Sequence, residues 1–241
     1  MNILEAKGLT KKFGGLVAVD RLNFSLRKGQ ILGLIGPNGA GKSTAFNCIA
    51  GVYPPNEGEI FFDGEKINNQ KPWNLAMKGL ARTFQFTKPF ATKTVLYNVM
   101  VGAFATTNQR TIAEKKAIGV LDYFNLVDKR NRRAGALTIA DSKRLEIAKA
   151  LATEPKLLLL DEVMAGLRPT EVDEMVAIIR KLRDQGITIF IIEHIMRAIM
   201  SMSDFIIVIH FGKKIAEGIP EEITKNKAVI DCYLGGEVNF A

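Results

Sequence analysis

The chain has 241 residues, 47% of them apolar, with 33 Lys and Arg against 25 Asp and Glu, a formal charge of +8. That balance belongs to a folded globular chain and excludes a disordered, collagenous or disulfide-stapled one. Its two cysteines, Cys48 and Cys232, suit a reducing compartment. Residues 1–7 hold no apolar stretch long enough for a secretory signal, and the longest apolar run, residues 187–192, falls far short of the roughly 20 residues of a spanning helix. A soluble, intracellular chain is therefore expected. The excess of positive charge is by itself compatible with nucleic acid, an anionic membrane face, a phosphate ligand or simple solubility.

From residue 3 to about 64 the pattern predicts mostly strand. Leu22, Phe24 and Leu26 alternate with Asn23 and Ser25, as in a strand with one wet face. Residues 31–35, Ile-Leu-Gly-Leu-Ile, form a continuous apolar run that stops at a glycine, as a fully buried strand does. Residues 59–67 read as a hairpin around Asp63-Gly64. From about 87 to 152 the strand signals fade. Helical spacing appears in Val120, Leu121, Phe124 and Leu126, then in Leu145, Ala148 and Leu151, which predicts a helical lobe inserted into a mixed core. A buried strand follows at 157–160, then a helix with Val172, Met175, Ile179 and Leu182 on one face and Gly186 as its stop, then apolar strands at 187–192 and 205–209. This alternation implies an α/β chain with a mostly parallel sheet covered by helices.

After the strand 31–35 comes Gly36-Pro37-Asn38-Gly39-Ala40-Gly41-Lys42-Ser43-Thr44, which fits GxxxxGK[ST]. Glycines let the backbone curl so that successive N–H groups converge on phosphate oxygens, and the helix starting near Lys42 adds its positive end. Lys42 supplies a point charge, and the Ser43 hydroxyl can ligate Mg²⁺. The strand 157–160 ends in Asp161-Glu162. In phosphate-loop ATPases a strand-terminal Asp holds Mg²⁺, and a following carboxylate can deprotonate the attacking water. His194 and His210 each end an apolar strand, and nothing local separates them as γ-phosphate contacts.

Taken together, these elements resemble the ATP-binding subunits of ABC transporters over nearly the full length. In family order stand the aromatic stretch Lys12-Phe13-Gly14-Gly15, the phosphate loop, Arg82-Thr83-Phe84-Gln85 as the Q-loop, residues 137–151 as the signature region, 157–162 as Walker B and Ile192-Glu193-His194 as the switch. Within the family the chain is most similar to the subunits of branched-chain amino-acid importers, through residues 33–42, Arg82 to Gln85, Arg144-Leu145-Glu146-Ile147-Ala148, Lys214-Ile215-Ala216-Glu217-Gly218 and Tyr233-Leu234-Gly235-Gly236.

The resemblance implies a single ABC-type head with an N-terminal antiparallel β subdomain. Its core would span about 1–86 and 153–241, its helical subdomain about 87–152. Phe13 would stack on adenine, and Gly36, Pro37, Asn38, Gly39, Ala40, Gly41, Lys42, Ser43 and Thr44 would hold the phosphates of ATP. Ser43, Gln85 and Asp161 would bind Mg²⁺, Glu162 would be the general base and His194 the γ-phosphate contact. Two such subunits would close head-to-tail around two ATP molecules, driving two transmembrane permease subunits through a surface near Gln85. An extracytoplasmic solute-binding protein would act at one remove, with this chain peripheral on the cytoplasmic face of the inner or plasma membrane.

The signature departs from the family's LSGGQ. Its positions hold Leu137, Thr138, Ile139, Ala140 and Asp141, so both glycines are gone. Thr138 keeps a hydroxyl, whereas an ionised Asp141 beside a phosphate would repel it. Thr138-x-x-Asp141 also reads as a helix capping box with Asp in place of Glu. Val163 stands where the family prefers Pro, and Arg168 where it often has Asp; Pro169 and Thr170 are expected to start the next helix. These departures predict that the chain's own ATP site is hydrolytic while the site it caps for its partner is impaired, which favours a heterodimer of unlike subunits.

Three other readings share parts of this pattern. A lipid or glycolipid exporter could use a very similar motor, and a regulatory sensor could bind ATP without turnover, although Glu162 and His194 argue against that. A nucleic-acid-linked ATPase of this type usually carries coiled-coil or zinc insertions; here there is no heptad tract, no paired CxxC, and Lys129-Arg130-Asn131-Arg132-Arg133 lacks interleaved aromatics. No nucleic-acid partner is expected.

Overall fold

The computed structural model describes residues 1–83 and 89–234; the expected Phe84, Gln85, Gly235 and Gly236 lie outside the described residues. An antiparallel sheet with strand order β2-β1-β4-β5 is built from β1 (Asn2–Phe13), β2 (Leu16–Arg27), β4 (Glu57–Phe62) and β5 (Glu65–Lys66). The second sheet has the order β10-β9-β3-β8-β7-β6, from β3 (Ile31–Ile35), β6 (Leu80–Arg82), β7 (Leu157–Asp161), β8 (Thr188–Ile192), β9 (Phe205–His210) and β10 (Lys213–Gly218). Within it β9, β3, β8, β7 and β6 run parallel, and only β10 is antiparallel.

The larger sheet is buried on both faces, which is why its strands read as unbroken apolar runs. In β8, Ile189 and Ile191 face the helices while Phe190 and Ile192 face the antiparallel sheet. β7 splits the same way, Leu158 and Leu160 against Leu157 and Leu159. Between the sheets Phe190 stacks on Phe24 of β2 at 5.5 Å and meets Phe46 of α1 (Lys42–Ile49) at 5.7 Å. Aromatic contacts of this kind add to the area they bury.

On the other face lie α6 (Pro169–Asp184) and α7 (Met196–Met202). Val172, Met175, Ile179 and Leu182 are buried along α6, and Gly186 follows its end at φ 90°. The Asp63-Gly64 turn has φ 49° and 84°, the left-handed pair a two-residue hairpin requires. Between β6 and β7 the chain leaves the sheet to form α3 (Val95–Ala103), α4 (Arg110–Tyr123) and α5 (Ile139–Leu151). α4 stops one residue before Phe124, so Phe124 and Leu126 enter the core from the turn that follows the helix rather than along its face. The short α2 (Pro72–Met77), α8 (Pro220–Ile223) and α9 (Lys227–Leu234) complete the described α-helices, beside two 3₁₀ turns at Val127–Lys129 and Ala134–Ala136.

The lobe is held by close approach of α3 to α5. A Cβ at Gly102 would lie 2.3 Å from the Lys149 carbonyl oxygen. Alanine normally favours a helix interior over glycine, yet Gly102→Ala is expected to lower stability by about 2 kcal/mol through overpacking. Gly119→Ala in α4, where nothing lies within 4 Å of the new Cβ, is expected to raise it by about 0.5–1 kcal/mol. Denaturant unfolding of the two variants checks both signs.

Candidate functional site

Parallel strands deliver their C-terminal ends to one edge, where α/β proteins bind ligands. Ile192 of β8 pairs with Leu34 of β3 on one side and with Asp161 of β7 on the other. The loop after β3, the acidic pair after β7 and Glu193-His194 after β8 therefore emerge side by side. A cavity of about 580 Å³ opens there, lined among others by Phe13, Val17, Lys42, Ser43, Glu162 and Phe211.

The loop is sterically committed to glycine at two points. A Cβ at Gly36 (φ 155°) would lie 2.1 Å from the Ile209 carbonyl oxygen, and one at Gly41 (φ 102°) 2.3 Å from that of Ala18. Gly41 is also the N-cap of α1, so the first N–H groups of that helix open onto the loop. Lys42 is buried, and its Nζ donates to the Gly36 carbonyl at 2.6 Å and the Pro37 carbonyl at 2.9 Å. Burial pulls its pKa down, while the charges of Glu162 and Asp161 push back. The ammonium is thus stored inside the loop that anionic oxygens would enter.

Asp161 is 6% exposed. Its backbone N–H donates to Thr83 Oγ1 at 3.2 Å, and its carboxylate lies 3.7 Å from Arg82, which also donates to Asn47 at 2.9 Å. Burial raises the Asp161 pKa, and Arg82 opposes that rise. Glu162 takes a left-handed backbone, φ 48°, a conformation that costs about 1–2 kcal/mol in a residue with a Cβ. Its N–H donates to Ile192 O at 3.0 Å, and Lys143 Nζ donates to its carbonyl at 3.1 Å.

The two histidines separate by place. His194 is exposed, two residues beyond the paired end of β8, between the phosphate-loop strand and the Glu162 strand. It is not among the residues lining the cavity. His210 ends β9 on the far side of β3 and packs its ring 4.1 Å from Phe211. Phe13, 43% exposed, lines the cavity; its ring stands at 82° to that of Tyr53 at 5.3 Å, and Lys11 Nζ lies over it 5.1 Å from the centroid.

Two residues carry no role of their own in the sequence reading. Phe211, 78% exposed with φ 44°, lines the cavity from the β9–β10 turn; an aromatic just before a turn glycine was its only local signal. Glu193 is 1% exposed, and its Oε1 accepts from the Met164 N–H at 2.8 Å. Burial pushes its carboxyl up to about 7, with the Met164 and His194 N–H groups acting in the opposite sense.

The signature segment corrects one expectation. Asp141 does not face outward, where its charge would repel a phosphate. It is 5% exposed, and its carboxylate is 2.5 Å from Lys129 Nζ and 3.9 Å from Arg144. Ala140 is buried as well, Leu137 is partly buried, and Thr138 and Ile139 are exposed at the start of α5. Thr138 Oγ1 does accept from the Asp141 N–H at 3.2 Å, so the cap forms, but the Asp141 carboxylate serves the two cations instead. Next to it the basic segment is structural in part: the carbonyls of Arg130 and Arg132 accept from Leu96 and Val95 at the start of α3. In α6 the capping residue is Arg168, whose N–H donates to Glu171 Oε2 at 2.9 Å, and Pro169 and Thr170 open the helix as expected.

Ser43 and Asp161 are hard oxygen donors. No group of three or more His, Cys, Asp or Glu that could hold a metal occurs among the described residues. That donor set fits Mg²⁺, which keeps several waters and binds through one or two protein oxygens plus substrate phosphates.

A glycine-clamped loop between a buried strand and a helix, with a lysine folded into it and an acidic pair on a neighbouring strand end, defines a nucleoside-triphosphate-binding cassette. The ABC transporter family model matches residues 19–165, and one described as branched-chain amino acid ATP-binding cassette transporter matches residues 213–239; the chain belongs to the ABC transporter family. It is 42% identical to the high-affinity branched-chain amino acid transport ATP-binding protein BraF of Pseudomonas aeruginosa, over 97% of this chain and 98% of the relative. It is 38% identical to LivG of Escherichia coli K12, a protein of the same description, over the same shares. A crystal structure of the ADP conformation of an ABC-transporter cassette superimposes with a TM-score of 0.90 at 32% identity, covering 98% of this chain and all of that one.

The Lys129–Asp141 pair gives a stability test. Lys129→Met leaves the Asp141 carboxylate buried with only the more distant Arg144 and is expected to lower stability by about 1–2 kcal/mol, a partly exposed pair being worth less than a buried one. Adding Asp141→Asn should recover part of the loss. Thermal unfolding of the single and double variants measures this coupling.

Proposed function

We propose that the chain is the ATP-binding and ATP-hydrolysing motor subunit of an importer of branched-chain amino acids. The observation that carries the ATPase reading is the convergence of Phe13, Lys42, Ser43 and Glu162 on one cavity. The substrate class is supported by the full-length similarity to BraF and LivG and by the C-terminal match at 213–239. In this reading the core comprises about residues 1–86 and 153–241 and the helical subdomain about 87–152.

Each residue then has a task. Residues 36–44 gather backbone N–H groups around the phosphates, and Lys42 transfers its charge from the Gly36 and Pro37 carbonyls to phosphate oxygens. Phe13 offers a ring face to adenine. Glu162 accepts a proton from the water that attacks the γ-phosphorus; the bond to the β,γ-bridging oxygen breaks, leaving ADP and phosphate. His194 contacts the γ-phosphate. Ser43, Gln85 and Asp161 would hold Mg²⁺ together with the nucleotide, and the ion would supply neutralisation of phosphate charge.

The partner at closure is a second ATP-binding subunit, to which this chain offers the Thr138 hydroxyl and the α5 N-terminus. Without the two signature glycines that cap is the weaker of the pair, which favours an unlike partner and leaves this chain's own site as the hydrolytic one. No described helix is long and apolar enough to cross a membrane; in this reading the pore belongs to two permease subunits, which hold this chain at the cytoplasmic face. An exposed stripe along α3, Tyr97, Val101 and Phe104, with Phe90 beside it, suits an apolar permease segment. A solute-binding protein completes the importer on the other side.

Two experiments test the reading. Glu162→Gln in this chain alone should cut ATP hydrolysis by the reconstituted transporter by at least about 100-fold while fluorescent-ATP binding persists; near-normal hydrolysis would contradict both the general base and the asymmetry. Val101→Asp should abolish co-purification with the permeases and leave ATP binding intact.

A further inference from the structure

Glu162 sits in a strained backbone, and strain of this kind persists only where the surroundings over-determine it. Two of its fixings come from the strand end and from α5: the Glu162 N–H on Ile192 O at 3.0 Å, and the Glu162 carbonyl on Lys143 Nζ at 3.1 Å. The third is Glu193. Its Oε1 takes the N–H of Met164, two residues past Glu162, at 2.8 Å. Val163 and Met164 are 1% and 0% exposed, so that N–H has no route to solvent if the acceptor is lost.

Glu193 is itself 1% exposed, and no water-facing role explains a carboxylate there. Its Oε2 is buried without a hydrogen-bond partner among the described residues, with the His194 backbone N–H near enough to favour the charged form. Lys143, 7% exposed on α5, lies within Coulombic range of the same carboxylate. An acid kept in such a place performs a task that an apolar residue of the same size would not.

We propose that Glu193 is a positioning residue for hydrolysis: with Lys143 it clamps residues 162–164 so that the Glu162 carboxylate stays turned into the nucleotide cavity. This deepens the proposed function and rests on Glu162 as the general base. The clamp spans three elements: the end of β8, where His194 follows directly; the segment after β7; and α5, which begins at the Thr138 cap. Removing the acceptor frees Met164 N–H and lets Glu162 relax toward the right-handed backbone, moving its carboxylate off the cavity. Residues 36–44 are untouched, so nucleotide affinity should hold while turnover falls.

The test is steady-state ATP hydrolysis by the reconstituted transporter carrying Glu193→Met, Glu193→Gln, Lys143→Met or Glu162→Gln in this chain, with fluorescent-ATP binding and thermal unfolding for each. Methionine fills the volume without an acceptor, and glutamine keeps Oε1. Glu193→Met should lower kcat at least about tenfold with KM for ATP within about twofold, the split expected when an interaction acts only at the chemical step. Glu193→Gln should restore at least about half the wild-type rate, because the bond it preserves is to a neutral N–H donor. A folded Glu193→Met with wild-type kcat overturns the proposal, as does a glutamine variant no better than methionine. If Glu193→Met does not fold, Lys143→Met decides: a fall in kcat at unchanged KM supports the clamp, and no fall overturns it. Normal turnover in Glu162→Gln would instead sink the general-base reading, a failure distinguishable from that of the clamp.

Discussion

The register of three parallel strands governs everything else in this chain. β8 lies between β3 and β7, and a single residue, Ile192, is paired with Leu34 on one side and Asp161 on the other. Slide either pairing by one residue and the apolar sets of Phe190 and Ile191 exchange faces, losing both cores at once. Burial on both faces thus fixes the register, and the register fixes which loop residues meet. The phosphate loop, the acidic pair and the switch residues need no further device to find one another.

Ionisable groups around that edge are buried in mutually opposed sets. Lys42 is drawn down by burial and supported by Glu162 and Asp161; Asp161 is pushed up by burial and restrained by Arg82; Lys143 is lowered by burial and supported first by Glu193. Each charge is tolerated because another stands near it, and removing one partner leaves the rest exposed to the full desolvation penalty. The same arrangement leaves Lys42 held on two backbone carbonyls, which a phosphate group can replace at small reorganisation.

Much of this was legible in the sequence because its signals are local. The apolar runs at 31–35, 157–160 and 187–192, the Asp63-Gly64 hairpin and the GxxxxGK[ST] loop each specify their conformation within a few residues, and the structure places them accordingly. β1 was harder to read, because Gly8 and a sequence of register shifts against β2 break its alternation. Phe124 and Leu126 fit a helical period but enter the core from a turn. Asp141 and Glu193 show why charge cannot be assigned a side from sequence alone. Asp141 reads as an anion facing a phosphate and Glu193 only as the residue before the switch histidine, yet both are buried on partners outside their own few residues or one helical turn away: Lys129 and the i+3 Arg144 for Asp141, and the Met164 N–H for Glu193.

The central claim is that these converging loops hold ATP for hydrolysis at this chain's own carboxylate. A crystal structure of the full chain with Mg²⁺ and a non-hydrolysable ATP analogue tests it most directly. The account expects Lys42 Nζ to have left the Gly36 and Pro37 carbonyls for phosphate oxygens, the Phe13 ring to lie against the base, and the Glu162 carboxylate to face the γ-phosphate with its left-handed backbone retained. An analogue bound elsewhere, or bound in the loop with Glu162 turned away from the γ-phosphate, would contradict it.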